Sequence, residues 1–226
     1  MAGPTEGRPA PGPRIPAMTA ADLEFWSRRY EEGHTPWDLG GPHPELLARL
    51  EADCLGRRRL GHGVRCLVPG CGRGHDALAL ARAGWRVTAL DLVDVLGEAR
   101  RRELETLGGR LLETDFLAYQ AEPPYEAAWD HTFFCALPLE RRPDWGRAMA
   151  RLLGYRSRLH VLLFPVDRSL EAGGPPWRTT LEDVEEALGE AFRTLLHEPV
   201  AHPGAGRTWR EEYAVFERLD TDPEPE

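Results

Sequence analysis

The sequence predicts a doubly wound α/β fold: a mostly parallel, Rossmann-like sheet of seven strands, preceded by a helical lid. Three observations carry that expectation. From Val64 to Pro165, short apolar runs alternate with helix-favouring runs, as parallel strands joined by crossover helices do. Three alternating glycines, Gly70, Gly72 and Gly74, follow the first of those runs. Acidic residues, Asp91 and Asp115, follow the second and third, at the carboxyl edge where such sheets collect ligands.

The elements follow in order. Residues 1–17 carry Pro4, Pro9, Pro11, Pro13 and Pro16 and read as a disordered leader. Thr19 is placed to cap a helix over Ala20–Glu32, which sets Leu23, Trp26, Arg29 and Tyr30 roughly on one face and stops at Gly33. A loop through Pro36, Trp37 and Asp38 leads to a second helix around Pro44 to Cys54. Trp26, Tyr30 and Trp37 have two readings: rings packed on the core, or an aromatic lid over a cationic ligand. Cation–π attraction would supply the second with on the order of 0.5–2 kcal/mol per ring.

The stretch from Val64 to Asp76 passes from strand through the glycines into a helix whose free N–H groups face a ligand. A dinucleotide loop needs a small residue at the last position of G-x-G-x-x-G/A, and here that position is His75. The spacing G-x-G-x-G suits S-adenosyl-L-methionine (SAM) better. Trp85 to Asp91 forms the second strand, with Asp91 placed to accept both ribose hydroxyls of an adenosine or to cap the next helix. That helix runs from near Val93 to about Leu107. The third strand, Gly109 to Phe116, ends in Asp115, which can accept from an adenine amino group or act as a cap, and Phe116, which can flank the ring. On the fourth strand, Ala127 to Phe134, His131 contacts the cofactor, titrates near neutral pH or packs. A helix from Arg141 through Leu153, an apolar fifth strand from Arg158 to Pro165, and a loop at Gly173 to Trp177 come next. Thr180 caps a helix through Ala191, and two further strands fill Phe192 to Leu219. Residues 18–219 thus form one domain, and 220–226 an acidic tail.

Composition narrows the chemistry. All 28 basic residues are Arg, so Schiff-base, pyridoxal-phosphate and P-loop lysine chemistry is excluded. A formal charge of −9 argues against nucleic acid and anionic membranes as partners. With no secretory signal and no apolar run long enough to span a membrane, Cys54, Cys66, Cys71 and Cys135 are expected as reduced thiols in the cytoplasm. Cys66, Cys71 and His75 lack the spacing of a zinc site, so no metal is expected, and no obligate protein partner is evident.

Taken together, these residues make the chain similar to the thiopurine S-methyltransferase family of class I SAM-dependent methyltransferases. It looks closest to the plant thiol, thiocyanate and halide methyltransferases. The resemblance rests on Trp26, Tyr30, Pro36-Trp37-Asp38-Leu39-Gly40, the stretch Val68 to Asp76, Asp91, Asp115-Phe116, Phe133 to Leu137 with Arg142-Pro143, and Gly173-Gly174-Pro175-Pro176. It implies that Trp26, Tyr30 and Trp37 form a lid over SAM, that Gly70 meets the methionine portion, that Asp91 takes the ribose and that Asp115 with Phe116 borders adenine. His131 stands where the plant relatives show tyrosine, and Tyr30 where they show tryptophan. Arg142 matches an arginine that lies near the substrate in thiopurine enzymes, which makes it the candidate for holding an anionic or thione acceptor.

The resemblance implies in-line methyl transfer to a small soft nucleophile: a thiol, thiopurine, thiocyanate, halide or related chalcogen compound. Positioning and exclusion of water then supply most of the rate, and no obligatory base is expected. For a neutral thiol, His131 is the candidate to take the proton. The competing readings are a non-catalytic SAM-binding module, an O- or N-methyltransferase, and a nicotinamide-dependent oxidoreductase, which His75 disfavours.

Overall fold

The computed structural model describes residues 18–55 and 63–220, so the expected leader and all but the first residue of the acidic tail lie outside the described residues. Seven strands form a single sheet: β1 (Arg65–Pro69), β2 (Arg86–Asp91), β3 (Arg110–Glu113), β4 (Tyr125–His131), β5 (Leu153–Leu163), β6 (Phe192–Pro199) and β7 (Glu212–Arg218). Their order is β3-β2-β1-β4-β5-β7-β6, and β7 alone runs against its neighbours. The expected doubly wound sheet is present, and its strand order reverses between β1 and β4.

Side-chain alternation explains the two layers around it. Within β1, Cys66 and Val68 face one side and Leu67 the other. The Cys66 face is covered by α2 (Pro44–Glu51), α3 (His75–Arg82) and α4 (Glu98–Thr106) through Leu46, Leu78 and Leu104. The Leu67 face is covered by α5 (Arg142–Leu152) and α6 (Leu181–Leu188) through Trp145, Met149, Val184 and Leu188. The first helix, α1 (Ala20–Glu31), buries no residue; Thr19 and Asp22 close a capping box at its start. Among the described residues no helix is long and apolar enough to cross a membrane.

Several boundaries differ from expectation, each for a local polar reason or for pairing. The helix expected from Val93 begins only at Glu98, because Asp91 and Asp94 capture the N–H groups of Val93 and Leu96 in a turn. The fourth strand stops at His131, since the Asp130 carboxylate accepts from the N–H groups of Phe133 and Phe134 and folds Phe134–Ala136 into a 3₁₀ turn. The fifth strand starts at Leu153, five residues early, where Leu153 pairs with Tyr125 across a bulge in the ladder. The second helix ends at Glu51 and the third strand at Glu113, leaving Asp115 and Phe116 in the loop beyond it.

Gly146 sets how closely α5 approaches α6. A Cβ there would overlap the Ala187 carbonyl oxygen of α6, a rigid backbone atom. Gly146→Ala is expected to lower stability by about 3 kcal/mol in urea unfolding, with far-UV circular dichroism unchanged at low denaturant.

Candidate functional site

Two contiguous cavities open at the carboxyl ends of β1, β2, β3 and β4, at the point where the strand order reverses. The first, of about 810 Å³, is walled by Trp26, Tyr30 and Trp37 from the lid, by Leu90, Phe116, Phe133 and Leu137 from the sheet edge, and by Pro175 and Pro176. The second, of about 520 Å³, is polar and holds Asp38, Arg73, His75, Asp76 and His131. Tyr30, Trp37, Gly70 and Thr132 line both.

The glycine loop makes room where the cavities meet. Gly70 has φ +56°, and a Cβ there would overlap the Phe133 ring, so only a bare backbone fits between β1 and Phe133. Gly72 lines the polar cavity and donates its N–H to Asp91 Oδ2 at 2.8 Å. Gly74 lines neither cavity: it precedes α3 at φ +73°, with Leu96 where a Cβ would be, so its role is in packing. Thr132 adopts φ +65°, a strained conformation for a β-branched residue, at the junction of the two cavities.

The aromatic residues of α1 are not core. Trp26 and Tyr30 meet Trp37 edge-on, with ring centroids 5.5 and 5.8 Å apart, and the three face the apolar cavity as a lid. Burial, followed by the charge of Asp91, pushes the Tyr30 hydroxyl well above its ordinary range, so it remains a neutral hydrogen-bonding group. Asp91 lines the apolar cavity; its carboxylate accepts from the backbone N–H groups of Gly72, Leu92 and Val93 and keeps acceptor capacity for a ligand hydroxyl. Burial raises its pKa. Phe116 is buried and edge-on to Phe133, with centroids 5.2 Å apart. Asp115 is already engaged: Oδ1 accepts from Leu117 N–H and Oδ2 from Met18 N–H at 2.7 Å. The backbone just before α1 therefore occupies the oxygen expected to receive an adenine amino group, and a ligand must share or displace that contact.

Two expectations are corrected by side-chain partners. Arg142 does not line either cavity. Its Nη2 donates to the Arg178 carbonyl at 2.7 Å and to Thr179 Oγ1, its Nη1 lies 3.5 Å from Asp183, and its guanidinium sits 4.5 Å over the Phe134 ring. It ties the start of α5 to the Pro175–Thr179 loop and to α6 rather than facing an acceptor. His131 does reach the polar cavity, but both of its nitrogens are taken. Nδ1 lies 2.7 Å from Asp76 Oδ2, and Nε2 lies 2.7 Å from Arg207 Nη2, which can only donate. The imidazole therefore carries its proton on Nδ1 and presents no free lone pair as a base.

These contacts belong to a buried network absent from the sequence reading. Asp76 accepts from His43 N–H at 2.8 Å, Trp129 Nε1 at 2.9 Å and His131 Nδ1. Arg207 links His131 to Glu211, and Glu211 in turn accepts from His43 Nε2 at 3.1 Å and from Gly204 N–H at 2.6 Å. Burial opposes ionisation of Asp76, but the interactions with His131 and the donors from His43 and Trp129 outweigh it and bring its pKa down to about 2. Glu211 is likewise lowered to about 2, where His43 and Arg207 overcome burial. Burial lowers the pKa of His43. The sequence signal for this network was slight: Asp76 closes the glycine stretch, but its partners lie 33 to 55 residues away.

Comparison with known proteins adds the following. The model of the family described as "Thiopurine S-methyltransferase" matches residues 21–217. The chain is 34% identical over 167 residues to a protein of Arabidopsis thaliana named "Probable thiol methyltransferase 2", covering 72% of this chain and 70% of that protein. It is 31% identical over 205 residues to "Thiocyanate methyltransferase 1" of Brassica oleracea, covering 86% of this chain and 85% of that one. Among solved structures, the 1,6-didemethyltoxoflavin-N1-methyltransferase of Burkholderia thailandensis, with 1,6-didemethyltoxoflavin and S-adenosylhomocysteine bound, shares the fold at TM-score 0.66 and 19% identity, over 91% of this chain and 93% of that chain.

The Asp76 carboxylate also sets an acid limit. A pKa lowered in the folded state contributes stability that is complete above the ordinary aspartate value of 3.8 and is lost as pH falls through about 2. Asp76→Asn is expected to cost about 2 kcal/mol at neutral pH, and urea unfolding should show the gap to wild type closing as the pH falls.

Proposed function

The chain belongs to the thiopurine S-methyltransferase family and is a SAM-dependent methyltransferase of small nucleophiles, and from that premise we propose that its acceptor is a small organic thiol or thione with an apolar body. The observation that carries the proposal is the charge of the larger cavity. Among the described residues its ionisable lining groups are Asp91, Asp115, Tyr30 and Cys135, with no arginine or histidine. With Asp91 and Asp115 turned to the adenosine, no arginine or histidine lining this cavity among the described residues would hold an inorganic anion, whereas an aromatic or aliphatic sulfur compound would meet Trp26, Phe133, Leu137, Pro175 and Pro176.

The donor set fits the cofactor. The bare backbone at Gly70, the remaining acceptor capacity of Asp91, the Phe116 ring and the aromatic lid match an adenosine carrying a cationic sulfur. When bound, SAM supplies a methyl group on a positively charged sulfur that a nucleophile displaces in line. The residues of the chain do the rest by position. Trp26, Tyr30 and Trp37 cover the site and exclude water; Asp91 orients the ribose; Phe116 flanks adenine; Gly70 and Gly72 let the backbone approach. Cys135, with its thiol pushed up to about 12 by burial, remains protonated and serves as a soft wall. With both His131 nitrogens engaged and Arg142 turned away, neither serves as a base at the acceptor, so the acceptor sulfur reacts as a thiol that gives its proton to solvent before transfer, or as a thione whose N–H proton goes to solvent after it. The free cysteines support a reducing compartment, which we take to be the cytoplasm, and the charge of −9 supports a small-molecule acceptor over nucleic acid.

A mass-spectrometric screen for methyl transfer from SAM tests the acceptor. Organic thiols and thiones are expected to react, with thiocyanate and iodide at least about tenfold lower in kcat/KM; faster turnover of the anions, or SAM binding without transfer to any of them, overturns the proposal. The lid is tested separately by calorimetry. Trp37→Ala is expected to weaken SAM roughly two- to thirtyfold, with Trp37→Phe in between.

A further inference from the structure

We propose that Arg168 is a positioning residue for the acceptor: it holds residues 172–176 as a fixed wall of the larger cavity and thereby favours flat aromatic thiols and thiones over short aliphatic ones. The inference rests on the organic-acceptor reading of that cavity and concerns a residue that lines neither cavity. Pro175 and Pro176 line the larger one together with Phe133 and Leu137. A firm apolar wall covers the face of a flat ring well, whereas a short aliphatic chain touches little of it.

The two parts of the wall loop are fastened by different means. Residues 177–179 are tied to the core: Trp177 N–H donates to the Cys135 carbonyl at 2.7 Å, Thr179 N–H to the Pro165 carbonyl at 3.1 Å, and Arg142 holds the Arg178 carbonyl. Residues 172–176 have no such ties through their own backbone. Ala172 and Gly173 donate only to the Ser169 and Leu170 carbonyls just before them, and the two prolines have no N–H to give. The Trp177 ring packs where a Cβ on Gly174 would be. Among the described residues, the side-chain hydrogen bonds to this stretch come from Arg168, whose Nη1 donates to the Pro176 carbonyl and Nη2 to the Ala172 carbonyl at 3.3 Å. One guanidinium thus bridges both ends of the wall.

Arg168 is itself held ready for that task. Its guanidinium lies 4.9 Å from the centre of the Trp209 ring. The chain at Trp209 is fixed in turn, because the Arg210 carbonyl accepts from Val166 N–H at 3.1 Å and Arg210 N–H donates to Asp167 Oδ1 at 2.8 Å. A planar fork stacked on a fixed ring gives up little freedom in making two bonds. The loop before β7 therefore supports the acceptor wall without touching the acceptor.

Thiophenol and 2-mercaptoethanol, with SAM as donor, serve as the aromatic and aliphatic probes; their different intrinsic reactivities cancel when the ratio of their kcat/KM values is compared between variants. Arg168→Ala is expected to raise KM for thiophenol about tenfold while kcat, and KM for 2-mercaptoethanol, stay within about threefold. Affinity for S-adenosylhomocysteine by calorimetry should not change. Arg168→Lys should recover part of the loss, since one ammonium cannot span both carbonyls as the fork does, and Trp209→Ala should shift the ratio the same way by a smaller factor. Hydrogen exchange in 170–179 should quicken in Arg168→Ala and stay the same in 18–41. Equal losses for both thiols, an unchanged ratio, or weaker S-adenosylhomocysteine binding overturns the proposal. Unchanged exchange at 170–179 overturns it while leaving the acceptor reading in place, whereas failure of wild type to methylate either thiol overturns both.

Discussion

The carboxylate of Asp76 is the constraint on which the site depends. It lies in the first turn after the glycine loop and accepts from the chain before α2, from Trp129 within β4 and from His131 at the end of β4. One buried charge thereby pins together the loop that approaches the ligand, the strand beside it and the segment that leads out of the lid. Such a charge is tolerable only because every partner is a donor with good geometry. The network then passes through Arg207 to Glu211 and back to His43, so the loop before β7 is fastened to the same point. The floor of the cofactor cavity is accordingly rigid.

The lid is built on the opposite principle. Helix α1 buries no side chain and is held by a capping box, by edge-on contacts among Phe25, Trp26, Tyr30 and Trp37, and by the link from Met18 N–H to Asp115. Few apolar contacts secure it, so it belongs to the least stable part of the molecule, as an element that must admit a ligand does. A firm floor and a loosely held cover permit exchange of cofactor without loss of the geometry at Gly70 and Asp91.

Charge is divided unevenly between the two cavities. The smaller cavity gathers Asp38, Arg73, His75, Asp76 and His131, whereas the larger is walled mostly by aromatic rings, proline and aliphatic carbon, with Asp91 and Asp115 among its lining. Two histidines on the cofactor side are committed: His43 to Glu211 and Glu45 N–H, and His131 to Asp76 and Arg207.

The sequence by itself determined the strand and helix order, the glycine turn and the acids at the strand ends, because each is a local matter of periodicity, backbone freedom or position at a strand terminus; whether Trp26, Tyr30 and Trp37 pack on the core or face the cavity it left open. Asp91 could be placed from its position alone, since the end of a parallel strand next to a glycine loop has only one place to be. What the tertiary structure alone decided is where long side chains and distant partners end up. Arg142 and the cavity are joined to the same short turn, yet the carbonyl of Arg178, Thr179 and Asp183 outcompete any acceptor for its guanidinium. His131 stands at the right strand end to act as a base, but Arg207, 76 residues later, takes its free nitrogen. An arginine reaches several ångströms in any direction and a histidine has two faces, so their roles follow from which groups the fold brings within reach, and no spacing along the chain records that.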